Sequence, residues 1–433
     1  MGKKLKQERA QEWSFERTVD LWVRNALAAG ARTFPELLLR LPSVYPSEAL
    51  AALKRVASDD LALSPVLKSA RARTEQNFGR FAEIKSSLPE PHPLDYDWRF
   101  GREAISRLLR ECEALSRPGN TVAMFGAPSL FEAAIERHWG RKQLLLDACQ
   151  PVTEVFNGNQ TAGIALDIDL LRDPLPELHA QVIVLDPPWY REYFRAFSWA
   201  AQRVCCLGGH VLLSFPPAGT RPGVEIECEA NLSWAESLGF RLVRFERDAL
   251  PYAMPRFERN ALVADAVYNV PLEWRRADLG VLVLERRTAV PRPVVRDRRE
   301  KWIEECVSAI RFKIRSKGAA NTFDDPSLIT AVEGDVLPSV SRRDARRGRA
   351  DIWTPGNRIY RCRGTDIFGY LLQAARRGEA PRKIIEERLD RALSDTERRC
   401  VARASRQVQR LTEVELREQS RGEQCGPIAA AIS

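Results

Sequence analysis

Short apolar runs alternate with amphipathic stretches across residues 89–288 and set this part of the chain apart from its flanks. The runs at 121–125, 143–147, 163–166, 182–185, 210–215, 240–245 and 279–284 have the length of strands buried on both faces. Between them, 129–138, 193–205 and 230–238 carry apolar residues three to four positions apart, which predicts helices packed by one face. Strand–helix alternation on this scale predicts an α/β fold with a doubly wound, mostly parallel seven-stranded sheet. Ligands in such folds sit beyond the carboxyl ends of the strands.

The flanks read differently. Phe15, Val19, Trp22, Val23 and Leu27 mark one face of a first helix, and further helices are predicted over 47–56 and 66–84. The run Pro89-Glu90-Pro91-His92-Pro93 ends that region, and the aromatic and acidic segment 92–100 is placed to fold back over the site. Beyond the break at Pro291-Arg292-Pro293, residues 302–315 have helical periodicity, and charged helices are predicted from 366 to 420. The resulting division is a helical N-terminal region at 1–88, an α/β domain at 89–288, a basic accessory region at 289–375 and a helical tail at 376–433.

At 29% charged and 44% hydrophobic residues, the chain is neither a disordered polymer, a collagen nor a membrane channel. No apolar run approaches the ~20 residues of a membrane helix. No hydrophobic segment follows the charged N-terminus, and Lys6 stands where a myristoylation pattern needs Ser or Thr. A cytoplasmic protein without a membrane partner is expected. The nine cysteines are dispersed, the four histidines are unclustered and no metal-ligand spacing occurs, so reduced thiols and no metal site are expected. The net charge of +9 falls within residues 291–433, mostly as arginine. The guanidinium fork suits phosphate, so Arg342, Arg343, Arg346, Arg347 and Arg349 are the candidate nucleic-acid contacts. A solvated face or an acidic protein partner is the competing reading.

The sharpest chemical signal is Asp186-Pro187-Pro188-Trp189, directly after the apolar run 182–185. An exocyclic aromatic amine is a poor nucleophile because its lone pair is delocalised. A carboxylate at Asp186 and the Pro187 carbonyl could each accept one of its N–H groups and turn the lone pair toward an electrophile. Pro188 stiffens the turn and Trp189 offers a stacking face. As pure structure, the same residues are a rigid turn and a core tryptophan. The tetrapeptide resembles the D-P-P-[FYW] motif of amino-directed S-adenosylmethionine-dependent methyltransferases.

Sixty residues earlier, Phe125-Gly126-Ala127-Pro128-Ser129-Leu130 joins the first strand to its helix. It is similar to the T-P-S-L turn of the probable N6-adenine methyltransferase family, which also holds lysine methyltransferases and a ribosomal RNA adenosine methyltransferase. The resemblance spans about residues 120–215 and implies a methyltransferase-like sheet with S-adenosylmethionine as cofactor. It places Phe125, Gly126, Ala127 and Pro128 at the cofactor, Asp147 on its ribose hydroxyls, and Asp167 or Asp169 near its adenine. The turn has one glycine where dinucleotide-binding loops have several. The resemblance implies methyl transfer to N6 of adenine in DNA or RNA. A protein lysine or glutamine methyltransferase, or an inactive nucleic-acid-binding version of the fold, are the alternatives.

Overall fold

The structure is a computed structural model that describes residues 2–58, 64–72, 86–137, 139–157, 163–295, 302–316 and 323–423. Part of the predicted helix 66–84 and the end of the predicted tail lie outside the described residues. Helices α1 (Gly2–Ala28), α2 (Phe34–Leu39), α3 (Pro46–Ala57) and α4 (Ser64–Arg71) form the N-terminal region. Val19, Val23 and Ala26 recur at helical spacing and are buried, whereas Trp13 and Leu21 on the other faces of α1 are exposed. The four helices share their core with Met254, Leu262, Val267, Val270 and Trp274, so the bundle is seated on the central domain.

The central sheet is built from β1 (Arg99–Phe100), β2 (Thr121–Phe125), β3 (Lys142–Asp147), β4 (Gly163–Asp167), β5 (Ala180–Leu185), β6 (Cys205–Phe215), β7 (Phe240–Ala253) and β8 (Arg276–Leu284). Their order is β1-β7-β8-β6-β5-β2-β3-β4. All seven predicted strands are present, and β1 adds an eighth at the edge, too short to be read from its own two residues. Strands β2 to β6 pair in parallel, and β8 runs antiparallel to both β6 and β7.

Helices cover both faces of the sheet. Helix α5 (Arg102–Leu115), α6 (Pro128–Glu136) and α7 (Gln150–Asn157) pack on one side, and α8 (Arg191–Val204) with α9 (Val224–Ser237) on the other. Val182, Ile183, Val184 and Leu185 alternate between those two cores, which is why β5 is apolar at every position. Each such side chain contributes roughly 1.5–3 kcal/mol by leaving water.

The chain runs outward from β2 to β3 and β4, then returns to β5 on the other side of β2. The loops after β2 and β5 therefore diverge, and a crevice opens at this switch point. The amide of Asp186 donates to the carbonyl of Phe125 at 3.0 Å, and that of Gly126 to Leu146 at 3.0 Å, so the strand ends are held in register to the floor of the crevice. Gly126 has φ +67°, and a Cβ there would lie 3.0 Å from the Asp186 carbonyl oxygen. The single glycine of the turn is thus required by both backbone and neighbour.

Residues 302–315 depart from the helical reading: they are an antiparallel hairpin of β9 (Trp302–Val307) and β10 (Ile310–Arg315). Val307, Ile310, Phe312 and Ile314 are buried. The alternation along β10 has the period of a strand, and Ser308 and Ala309 form the connecting turn with φ 48° and 69°. With β11 (Ser327–Thr330), β12 (Ile352–Trp353) and β13 (Ile359–Arg363) they make a second sheet, ordered β11-β13-β12-β10-β9. Helices α11 (Thr365–Arg377), α12 (Pro381–Leu389) and α13 (Asp395–Glu423) close one core with this sheet, from Val307 to Leu411. The boundary drawn at 375 therefore falls inside α11, and the elements on its two sides pack together. Residues 252–259 are the end of β7 and the start of α10 (Arg256–Ala264).

Two ion networks seat this C-terminal domain against the central one. Arg256 pairs with Glu90 and with Glu415, the latter at 2.7 Å, and Arg358 pairs with Glu415 at 3.1 Å and Glu418 at 2.5 Å. Glu415 has no exposed surface and also accepts from Thr354 at 2.7 Å and the amide of Gly356 at 3.0 Å. In the second network Arg311, 1% exposed, reaches Asp95 at 2.6 Å and Glu304 at 2.5 Å, and Lys313 pairs with Asp95 as well. The domain is thereby held over the switch-point crevice.

Candidate active site

Between the two domains lies a cavity of about 1100 Å³. Its floor is the switch point, with Gly126 after β2, Asp147 after β3 and Asp186 to Trp189 after β5. The segment Pro93 to Trp98 and the start of α3 form its sides, and the loop 338–348 with Trp302 and Trp353 forms its roof.

Asp186 accepts two hydrogen bonds on Oδ1, from the Ser214 hydroxyl at 2.6 Å and the Tyr252 hydroxyl at 2.5 Å. Its Oδ2 makes no hydrogen bond among the described residues. Burial pushes the Asp186 carboxyl up to about 7, against the pull of those two hydroxyls and with a smaller push from the charge of Asp97. Pro187, Pro188 and Trp189 also line the cavity. The Trp189 ring stands edge-on to Tyr252 at 5.7 Å, and Arg221 donates to the Trp189 carbonyl at 2.8 Å. The tetrapeptide is therefore cavity wall and not merely a turn that ends a strand.

The turn after β2 divides by position. Gly126 and Pro128 line the cavity, whereas Phe125 and Ala127 are buried in the cores on the two faces of the sheet. Phe125 acts only through its carbonyl, and Ala127 is the N-cap of α6. The Ser129 hydroxyl at that helix start is buried without a partner among the described residues. Asp147 sits deep at the end of β3 and accepts the amide of Cys149 at 2.9 Å. Burial pushes its carboxyl up to about 7 as well, against that hydrogen bond. Asp167 is exposed and does not reach the cavity; Ile168, Asp169, Leu170 and Leu171 do. Asp169 is engaged locally, accepting from Leu171 at 2.9 Å. A carboxylate, an apolar wall and a helix start within one crevice are suited to a nucleoside: ribose hydroxyls on Asp147, a base against Ile168 and Leu170.

Of the arginine cluster, Arg342, Arg343 and Arg347 face the cavity; Arg346 and Arg349 do not line it. Arg342 pairs with Glu192 and lies 4.6 Å from the centroid of Tyr190. Arg343 approaches Glu227 at 3.8 Å, Arg346 pairs with Asp344 at 2.6 Å, and Arg347 lies over Trp353 at 4.5 Å. The segment is a roof strap tied down by internal partners as well as a basic surface.

Three contributors were not singled out from sequence. Ser214 is a lone hydroxyl in an apolar strand, a signal that could have been read. Tyr252 reaches Asp186 because β7, antiparallel to β8, runs parallel to β5 and ends on the same edge of the sheet, and Arg275 enters from the residue before β8. Segment 92–100 does fold over the site, bringing Asp97 and Trp98 to the wall, whereas Phe215 after β6 is buried in the core and Pro216 and Pro217 do not line the cavity. Among the described residues no His, Cys, Asp or Glu cluster could hold a metal, and no helix is long and apolar enough to cross a membrane.

No family model matches the chain, and no curated protein sequence does. Among solved structures it is similar to a branched-chain polyamine synthase mutein from Thermus thermophilus, in complex with N4-aminopropylspermidine and 5′-methylthioadenosine. The identity is 14%, the match covers 66% of this chain and 95% of that one, and the TM-score is 0.51. Weaker likenesses include a TehB-like SAM-dependent methyltransferase from Corynebacterium glutamicum, at 12% identity over 42% of this chain and 89% of that one, with a TM-score of 0.31. TrmN from Thermus thermophilus matches at 18% identity over 47% of this chain and 51% of that one, with a TM-score of 0.30. Strand order, switch point and the likeness to the polyamine synthase together give the central domain a methyltransferase-like, doubly wound α/β fold.

Proposed function

We propose that the chain is an S-adenosylmethionine-dependent transferase that methylates an exocyclic amino group, N6 of adenine in DNA or RNA. The observation that carries this reading is Asp186 at the cavity floor, with Oδ1 held by Ser214 and Tyr252 and Oδ2 open. S-adenosylmethionine, held along Gly126, Pro128 and Asp147, supplies an electrophilic methyl carbon. The residues of the chain do the rest. Oδ2 of Asp186 and the carbonyl of Pro187 accept the two N–H groups of the amine, which directs its lone pair toward the donor side. Trp189 stacks on the base. Once the nitrogen has bonded to carbon it must lose a proton, and a carboxyl poised near 7 is matched to accept it at neutral pH. The arginine-rich strap at the cavity roof would steer a phosphate backbone toward the mouth.

A second reading, alkyl transfer to a polyamine nitrogen, is favoured by the carboxyls of Glu48, Asp97, Asp147 and Asp186 in one cavity and by the ligands of the polyamine synthase. Incubation with S-adenosylmethionine, and separately with its decarboxylated form, against DNA, RNA, protein and spermidine decides between them. Mass spectrometry of the products should find N6-methyladenine in a nucleic-acid arm. An aminopropylated amine, or methylated protein alone, would overturn the reading.

A further inference from the structure

Among the described residues six cations line the cavity, and five of them are already engaged. Lys313 pairs with Asp95, Arg221 and Arg342 with Glu227 and Glu192, Arg343 approaches Glu227, and Arg347 donates to the Val340 carbonyl at 3.3 Å. Arg275 is the exception: among the described residues its guanidinium makes no hydrogen bond and no ion pair. It lies instead over the Trp98 ring, 3.9 Å from its centroid, with Trp274 at 5.0 Å and Trp189 at 5.6 Å around it. A guanidinium over a ring face keeps its in-plane N–H fork available for an oxyanion.

Its place in the site is set by the sheet. The Tyr252 amide donates to the Arg275 carbonyl at 2.9 Å, and the Tyr252 hydroxyl donates to Asp186. Arg275, Trp98, Tyr252, Trp189 and Asp186 therefore form one continuous wall, with an open cation at one end and the acceptor-binding carboxylate at the other. Glu258 is fully buried with neither carboxyl oxygen in hydrogen-bonding geometry; burial raises its carboxyl, and the charge of Arg275 opposes that rise without forming an ion pair. The fork is thus attracted by a buried carboxyl but makes no hydrogen bond to it among the described residues.

We infer that Arg275 is a specificity-determining residue that grips a phosphate oxygen of the acceptor nucleotide while its amino group lies at Asp186. This rests on the proposed amine-methylating function and narrows its substrate to a phosphate-bearing acceptor, which a bare polyamine is not. The test is equilibrium binding, so it does not depend on turnover. Adenosine, adenosine 5′-monophosphate and inorganic phosphate are titrated by calorimetry into the full chain and into Arg275→Gln, each saturated with S-adenosylhomocysteine. The monophosphate should bind the wild type at least tenfold more tightly than adenosine, with phosphate competing, and Arg275→Gln should erase that preference while leaving adenosine affinity within about twofold. Arg275→Lys, which keeps charge without the fork, should restore part of it. Equal affinities for adenosine and its monophosphate in the wild type, an unchanged preference in Arg275→Gln, or no binding of either would overturn the inference. Failure of methyl transfer with the phosphate preference intact would instead count against the proposed reaction alone.

Discussion

Asp186 is where burial and chemistry compete most directly. Its carboxyl is raised from 3.8 to about 7, so between those values the folded chain holds a proton that the unfolded chain has released. Stability from this group therefore falls as pH rises through that window. Above pH 7 the ionised carboxylate costs the fold on the order of 4 kcal/mol. Asp186→Asn keeps an oxygen to accept from Ser214 and Tyr252 but removes the charge. Thermal unfolding should thus show a higher Tm than wild type at pH 8 and little change at pH 5; equal shifts at both would contradict the assignment. Tyr252→Phe removes a donor that favours the ionised form, so the rising limb of the pH–rate profile should move up by about one unit. Of these residues, the D-P-P-W tetrapeptide was legible because its chemistry is local. Ser214, Tyr252 and Arg275 were not, since strand pairing across the sheet brings them to the site.

Secondary structure elements were legible where their period was unambiguous. The seven strands of the central sheet could be read from apolar runs, most clearly at β2 and β5, where burial on both faces leaves almost no polar position to confuse the pattern. The hairpin β9–β10 could not, since Trp302, Cys306 and Ile310 fall four residues apart and imitate a helix face, while the deciding alternation of Ile310, Phe312 and Ile314 is only five residues long. The turn after β2 offers a test at this scale. Gly126→Ala imposes a side chain at positive φ against the Asp186 carbonyl, and should lower stability by roughly 1–3 kcal/mol in chemical denaturation. It should also weaken S-adenosylhomocysteine binding in calorimetry. Asp147→Ala should weaken that binding without the loss of stability, because it removes a buried charge rather than crowding the turn.

The whole molecule is a doubly wound sheet roofed by a second domain, and Glu415 is central to the ion network that joins them. Glu415→Ala leaves Arg256 without one of its buried partners and weakens the anchoring of Arg358, which should lower stability by about 3 kcal/mol and loosen hydrogen-exchange protection along α13. The positive excess of residues 291–433 was plain in the sequence, but its disposition was not, because pairing partners such as Glu192 and Glu227 lie more than a hundred residues away. Since three of the five arginines are paired or close to carboxylates, replacing all five with alanine should reduce the log–log salt slope of nucleic-acid binding by only ~2. The central claim is that Asp186 orients an acceptor amine for a methyl group carried by a nucleoside donor. The most direct measurement is single-turnover transfer from methyl-tritiated S-adenosylmethionine to DNA and RNA, by wild type and Asp186→Asn, with donor affinity measured on the same samples. The account predicts transfer by the wild type, at least a thousandfold less by Asp186→Asn, and donor affinities within a few fold. Equal transfer by both proteins, or donor binding by neither, would contradict it.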